Sequence, residues 1–284
     1  ASLEAGGPDH IACTVEHPTL DTSAILMKHK DIQLIAATGG PGVVTAVLSS
    51  GRRGIGAGAG NPPALVDETA DVQKAAEDIV NGCTFDNNLP CIAEKEIVAA
   101  DSIADELMHA MITEQGCYLA SRQEQDALLS VVLKGGQLNR DCVGRDAKTL
   151  LRMIGVDAPD HIRCITFEGP KEHPLISEEL MMPILGVVRA QGFEDAVQKA
   201  VWLEHGNRHS AHIHSKNVDH ITTYAKAIDT AILVKNGPSY AALGFGGEGY
   251  CTFTIASRTG EGLTSASSFT KRRRCVMCDS LCIR

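Results

Sequence analysis

Residues 32–38 read IQLIAAT, an apolar run that does not alternate with polar positions. A run of this kind is the pattern of a parallel strand covered on both faces. Its surroundings extend the theme. TLDTSAILMKH (19–29) has helical spacing behind Thr19, a candidate N-cap, and GGPGVVTAVLSSG (39–51) turns, runs as a helix and stops at a glycine. RRGIGAGAG and PALVDE follow as extended pieces, and ADVQKAAEDIVNGC (70–83) spaces its apolar residues near 3.6. HIACTV (10–15) reads as a further short strand. Strand and helix in alternation predict an α/β fold with a doubly wound, parallel-rich sheet.

A second cycle begins past residue 83. Strands are expected at 96–101, 164–169, 183–190, 210–215 and 230–236, and helices at 102–115, 123–136, 146–155, 193–204 and 218–229. The helix at 123–136 is expected to close on its Gly-Gly pair. FGGEGYCTFTIASRTGEG (245–262) reads as a glycine-rich loop, and RRRCVMC (272–278) as a last strand. No internal repeat breaks the pattern. The expected division is 1–82, 83–262 and a C-terminal tail at 263–284.

Composition narrows the function. The 284 residues are 44% hydrophobic and 21% charged, which allows a substantial core. A net charge of −9 and a pI near 5.6 speak against a nucleic-acid partner. The short basic run KRRR (271–274) reads as a solvated face. Ten cysteines are scattered without a framework, and no secretory signal is visible, so reduced thiols in a cytoplasm are expected. No apolar run reaches the ~20 residues of a membrane span. The chain begins without methionine, which reads as a processed or cut start.

The candidate chemistry centres on CTFDNNLPCIAEK (83–95). Pro90 disfavours helix at the residue before it, so Cys91 is placed in a turn between the helix ending near 83 and the strand starting near 96. A thiol there can meet backbone N–H groups that stabilise a thiolate and later an oxyanion; it can equally be a small packed hydrophobe. Cys83, with Ile79 and Val80 as helical neighbours, reads as packing. In RHSAHIHS, alternation puts His212 and His214 on one face as two metal ligands require, but no third ligand type sits at matching spacing, and polar packing is the plainer reading. Cys275, Cys278 and Cys282 lack the second ligand pair that a zinc site wants. No metal is expected. GIGAGAGN (54–61) is a weak phosphate-cradle signal, since it leads to PPALVDE rather than a helix. Neither a G-x-S-x-G elbow nor a Walker A loop is present.

Taken in order, IQLIAATGGPGVV, GAGAGNPPALVDETAD, FDNNLPCIAEK, SEELMMPILGVVR, VKNGPSYAALGFGGEGY and TGEGLTSASSFTKRRRC closely resemble the CoA-acylating branch of the aldehyde dehydrogenase superfamily. The ethanolamine- and propanediol-utilisation type of bacterial microcompartments is the nearest likeness. The resemblance implies a three-layer α/β/α fold, and a chain that matches the later ~60% of a family member, with the dinucleotide-binding half incomplete. It implies that an aldehyde, NAD⁺ and coenzyme A give an acyl-CoA and NADH by a ping-pong route. Cys91 matches the nucleophile, whose thiolate attacks the aldehyde and holds the acyl group as a thioester. Glu179, four residues before Pro183, matches the glutamate on the nicotinamide-side ribose. Thr38 and Gly39 match the strand-end turn facing the cofactor, and Met181 stands where hydrolytic members often carry Phe. Where those relatives carry a water-activating glutamate, this chain has GAGAGN, with Ala57 or Gly58 near that place, so the thioester is expected to persist until CoA arrives.

The likeness also implies a homo-oligomer assembled through the final strand, and residence in a microcompartment. The asparagine that completes the family's oxyanion hole falls outside the matched part, so little activity is expected from this chain alone. Two alternatives share the motifs: the aldehyde dehydrogenase part of a bifunctional aldehyde–alcohol dehydrogenase, and a non-catalytic assembly subunit.

Overall fold

The computed structural model describes residues 3–249, 251–256 and 261–278. Among them the elements run α1 (Leu20–Lys28), β1 (Leu34–Thr38), α2 (Pro41–Leu48), β2 (Arg53–Ala57), β3 (Pro63–Val66), α3 (Val72–Thr84), β4 (Glu96–Ala100), α4 (Asp101–Thr113), β5 (Cys117–Leu119), α5 (Arg122–Val132), β6 (Leu133–Lys134) and β7 (Gln137–Leu138). They continue with α6 (Ala147–Met153), β8 (Cys164–Glu168), α7 (Pro174–Ser177), β9 (Ile184–Ala190), α8 (Phe193–Leu203), β10 (Ser210–His214), α9 (Val218–Ile228), β11 (Ile232–Lys235), β12 (Ile255–Ala256) and β13 (Gly262–Leu263).

Seven strands form one parallel sheet in the order β11-β10-β3-β4-β9-β8-β5. The apolar runs explain it. Every residue of β4 is buried, because successive side chains point to opposite faces and both faces are covered. Ile97 and Ala99 pack on one side with Ile79 and Val80 of α3 and Leu107 and Met111 of α4. Val98 packs on the other with Leu128 of α5, Leu150 of α6, Ala196 of α8 and Tyr224 of α9. The result is a three-layer α/β/α fold.

β1 and β2 pair in parallel as a separate two-stranded sheet. The apolar run in β1 was expected to be covered on both faces; instead none of its residues is buried, and α1 buries none either. Thr19 does cap α1, its hydroxyl accepting from the Thr22 N–H. β3 belongs to the large sheet and α3 packs on it, so the two sheets part at residues 58–62.

Other expectations are corrected. Residues 10–15 form no strand, and neither do 271–278; Lys271 instead donates to the Gln33 side chain at 3.0 Å, while Arg53 donates to the Ser268 and Thr270 carbonyls. An isolated apolar stretch without a ladder partner has no way to satisfy its backbone as a strand. The basic run 271–274 is exposed, as read. α5 stops at Val132, and Gly135 and Gly136, at φ of 61° and 76°, turn the chain into the β6–β7 hairpin instead of capping the helix. β5 escaped sequence analysis because three residues carry too little pattern. Cys282 lies outside the described residues.

Candidate active site

The sheet order makes the site. β10, β3, β4 and β9 are neighbours and parallel, so the segments entering them converge at one edge. Those segments carry Gly60 and Asn61 before β3, Cys91 to Lys95 before β4, Glu179 to Met182 before β9, and His209 before β10. Residues scattered over 150 positions of sequence are thereby brought to one place.

Cys91 sits, as expected, in a turn between α3 and β4, and the Ala93 N–H donates to the Pro90 carbonyl across it at 3.0 Å. The approach is unusual. Asp86, Asn87 and Asn88 stand at φ of 48°, 50° and 65°, a left-handed backbone that Asp and Asn tolerate better than other non-glycine residues. Asn88 is buried, and its amide donates to the Cys83 and Glu94 carbonyls at 3.0 and 2.9 Å. Cys83 is wholly buried in packing with Ile79 and Val80, 4.0 Å from the sulfur of Cys164.

The Cys91 side chain is half-buried, with one flank against Ile92, Ile232, Val234 and Leu243. Burial pushes its thiol up, the Glu179 carboxylate adds to this, and the Lys95 ammonium opposes both. Burial thus favours the protonated thiol, so attack requires a group to take its proton. Glu179 is also pushed up by burial, opposed by Lys95 and by the Gly60 N–H that donates to it. A carboxylate thus does lie beside Cys91, supplied by the segment before β9.

Gly60 has room for nothing larger. A Cβ there would come 2.8 Å from the Cys91 carbonyl oxygen and 3.1 Å from the His209 ring, so glycine lets three segments close around the thiol. His209 is fully buried. Its Nδ1 shares a hydrogen with Ser210 Oγ at 2.9 Å, and its Nε2 has no partner among the described residues. Burial, helped by Lys95, lowers its pKa to about 4, so the imidazole is neutral with one ring nitrogen available. Sequence analysis weighed His209 only within a metal pattern. His212 and His214 do share a face, but they lie inside the sheet with pKa values lowered by burial to about 3 and about 4.

Thr38 and Gly39 belong to the smaller sheet. Thr38 is exposed at the end of β1, and the Gly39 N–H donates to the Ala57 carbonyl at 3.0 Å, three residues before Gly60. A Cβ at Gly40 or Gly42 would meet nothing within 4 Å, so the turn above β1 is open. Met181 is half-buried at φ 55°, and its carbonyl accepts from the Gly144 N–H at 2.9 Å. The structure brings Cys91 and Glu179 together and leaves Thr38 and Gly39 on the adjoining layer. An open groove of about 1220 Å³ runs along the edge strand β11 and does not include Cys91.

The profile of the aldehyde dehydrogenase family matches residues 1–121. A propionaldehyde dehydrogenase from the fucose-utilisation microcompartment of Clostridium phytofermentans is 78% identical over 100% of this chain and 65% of its own, with a TM-score of 0.96. The Rhodopseudomonas palustris propionaldehyde dehydrogenase, solved with bound CoA and an acylated cysteine, is 51% identical over 97% of this chain and 63% of its own, with a TM-score of 0.93. An acetylating acetaldehyde dehydrogenase of Salmonella typhimurium is 46% identical over 99% of this chain and 61% of its own length. The chain thus spans less than two thirds of each of these relatives.

Proposed function

Starting from the fact that this chain belongs to the aldehyde dehydrogenase family, we propose that it carries the acyl-transfer centre of a CoA-acylating aldehyde dehydrogenase acting on a short-chain aldehyde. The observation that carries this reading is the Cys91 thiol, half-buried in a turn at the amino edge of the sheet, with Glu179 and Lys95 acting on its charge and with Gly60 packed between the Cys91 carbonyl and the His209 ring. The acylated cysteine of the Rhodopseudomonas relative supports it.

In this mechanism the neutral His209 Nε2 takes the thiol proton as the Cys91 sulfur bonds to the aldehyde carbon. The chemistry that a bound NAD would supply is an acceptor for the hydride that the same carbon must lose to become a thioester. Once the first proton has passed from His209 to solvent, the CoA thiol attacks the thioester carbon, its proton passing through His209 to the Cys91 sulfur as the Cys91–carbon bond breaks to release the acyl-CoA. The residues fit a dinucleotide: Glu179 retains acceptor sites for ribose hydroxyls beyond its bond from Gly60, and the exposed Thr38, with the following turn open at Gly40 and Gly42, admits close approach. Met181 borders the same cleft in this reading. We assign residues 1–57 to what remains of the cofactor-binding layer and 263–284 to assembly of a homo-oligomer. The fucose-microcompartment relative supports residence inside a microcompartment in the cytoplasm; among the described residues no helix is long and apolar enough to cross a membrane.

The test uses a form extended to the length of the relatives, given propionaldehyde and NAD⁺ without CoA. An acyl adduct is expected on the Cys91 peptide by mass spectrometry, discharged on adding CoA. C91S is expected to lose acyl-CoA formation by about 10⁴-fold or more. Undiminished acyl-CoA production by C91S sinks the reading.

A further inference from the structure

Lys95 lies four positions beyond Cys91 at the entry to β4, and it is only 4% exposed. A buried ammonium needs partners. Its Nζ donates to the Asn88 carbonyl at 3.0 Å, to Asn88 Oδ1 at 2.5 Å and to the Pro90 carbonyl at 3.4 Å. Three oxygen acceptors meet the three hydrogens of an ammonium, and a neutral amine would set its lone pair against one of them. The backbone N–H of Lys95 is tied to the Pro62 carbonyl at 3.2 Å, next to the segment that holds Gly60.

All three acceptors belong to the loop that ends at Cys91, and that loop includes the three consecutive left-handed residues 86–88. Three such residues in a row persist only where the surroundings hold them. We propose that Lys95 is a positioning residue: its buried ammonium clamps residues 88 and 90 into the shape that presents Cys91, and it supplies the positive charge facing the thiol. The inference rests on the assignment of Cys91 as nucleophile. The charged groups acting on Cys91 are Glu179 and Lys95, and those acting on Lys95 are Glu179, Cys83, Cys91 and Glu96. Burial lowers the Lys95 pKa and these neighbours oppose it; the three oxygens around Nζ select the ammonium, which is the cation acting on Cys91. A purely structural lysine would leave the reactivity of the thiol unchanged once the loop is formed.

Iodoacetamide alkylation of the Cys91 peptide, followed by mass spectrometry from pH 6 to 10 on the 284-residue chain, separates the two roles. K95M is expected to slow alkylation at pH 7.5 by at least about 10-fold, the equivalent of one unit in the thiol's titration, with the rate recovering at higher pH. K95R, which keeps the charge, is expected to retain the wild-type midpoint. N88A removes one acceptor and two loop ties while leaving the ammonium, so it is expected to slow alkylation at every pH without moving the midpoint. It also tests the clamp independently should K95M fail to fold. A K95M curve superimposed on wild type, or N88A labelling unchanged from wild type, overturns the inference. Alkylation reads the thiol and not aldehyde oxidation, so this result stands apart from the C91S assay.

Discussion

β1 and β4 are both five-residue apolar strands that lead straight into a helix, yet β4 is buried throughout and β1 has no buried residue. β4 lies between β3 and β9 with helices over both faces; β1 has one partner, β2, and an α1 that buries nothing. Apolarity states how much cover a strand can use, while the cover itself has to come from other segments. The difference teaches that residues 20–57 are a layer whose sequence asks for more neighbours than this chain supplies. Leu20, 90% exposed, and Ile25, 64% exposed, mark where they would go.

The sharpest way to break the comparison is to cut matched side chains in the two regions. Ile97→Ala in β4 is expected to destabilise by about 2–5 kcal/mol in urea melts; a loss under 1 kcal/mol would mean that the large sheet is no better packed than the small one. Next comes pH. Burial pushes Glu94 up to about 8 from an ordinary 4.5, with the Ser239 N–H opposing. Between those values the folded chain keeps a proton that the unfolded chain has released, so stability falls as pH rises through that window. E94Q is expected to flatten the slope by up to about 1.4 kcal/mol per pH unit, read from melts at pH 5, 6.5 and 8. An identical slope in E94Q would remove Glu94 from the buried set.

A smaller effect is expected in the exposed layer. Thr19→Ala removes a helix cap and should cost α1 about 1 kcal/mol, visible as faster hydrogen exchange confined to residues 20–28. Global destabilisation of the same size would show the two layers to be one cooperative unit. Smallest of all, Ile25→Ala should change stability by no more than about 0.5 kcal/mol in this chain. The same change in a form extended to the relatives' length should cost more, if the extension covers that face.

The sequence carried most of the fold and one end of the site. Runs such as EIVAAD and helices such as ADVQKAAEDIVNGC were legible because periodicity follows directly from which faces are covered. Cys91 was legible as a turn residue from Pro90, and Cys83 as packing from its helical neighbours. What could not be read were pairings: that β3 joins the large sheet, that 10–15 and 272–278 find no ladder, and that a glycine pair becomes a hairpin. Gly60 and His209 were missed for the same reason, since each comes to the Cys91 loop from another segment; Lys95 stands in the same segment, but nothing local shows that its side chain is buried against residues 88 and 90. An "AGAGN" followed by two prolines was the available sign of a close-packed turn.

By itself, the sequence determined the local elements, the turn that holds Cys91 and the kinship with a family, because each depends on neighbours in the chain or on ordered motifs. Only the tertiary structure decided that burial favours the protonated thiol, that Glu179 acts on it, that Gly60 packs between the Cys91 carbonyl and a buried His209 ring, and that a lysine is sealed against the same loop. Protonation depends on burial and on charges from distant segments, and those distances are set by the order of strands in the sheet, which no local pattern encodes.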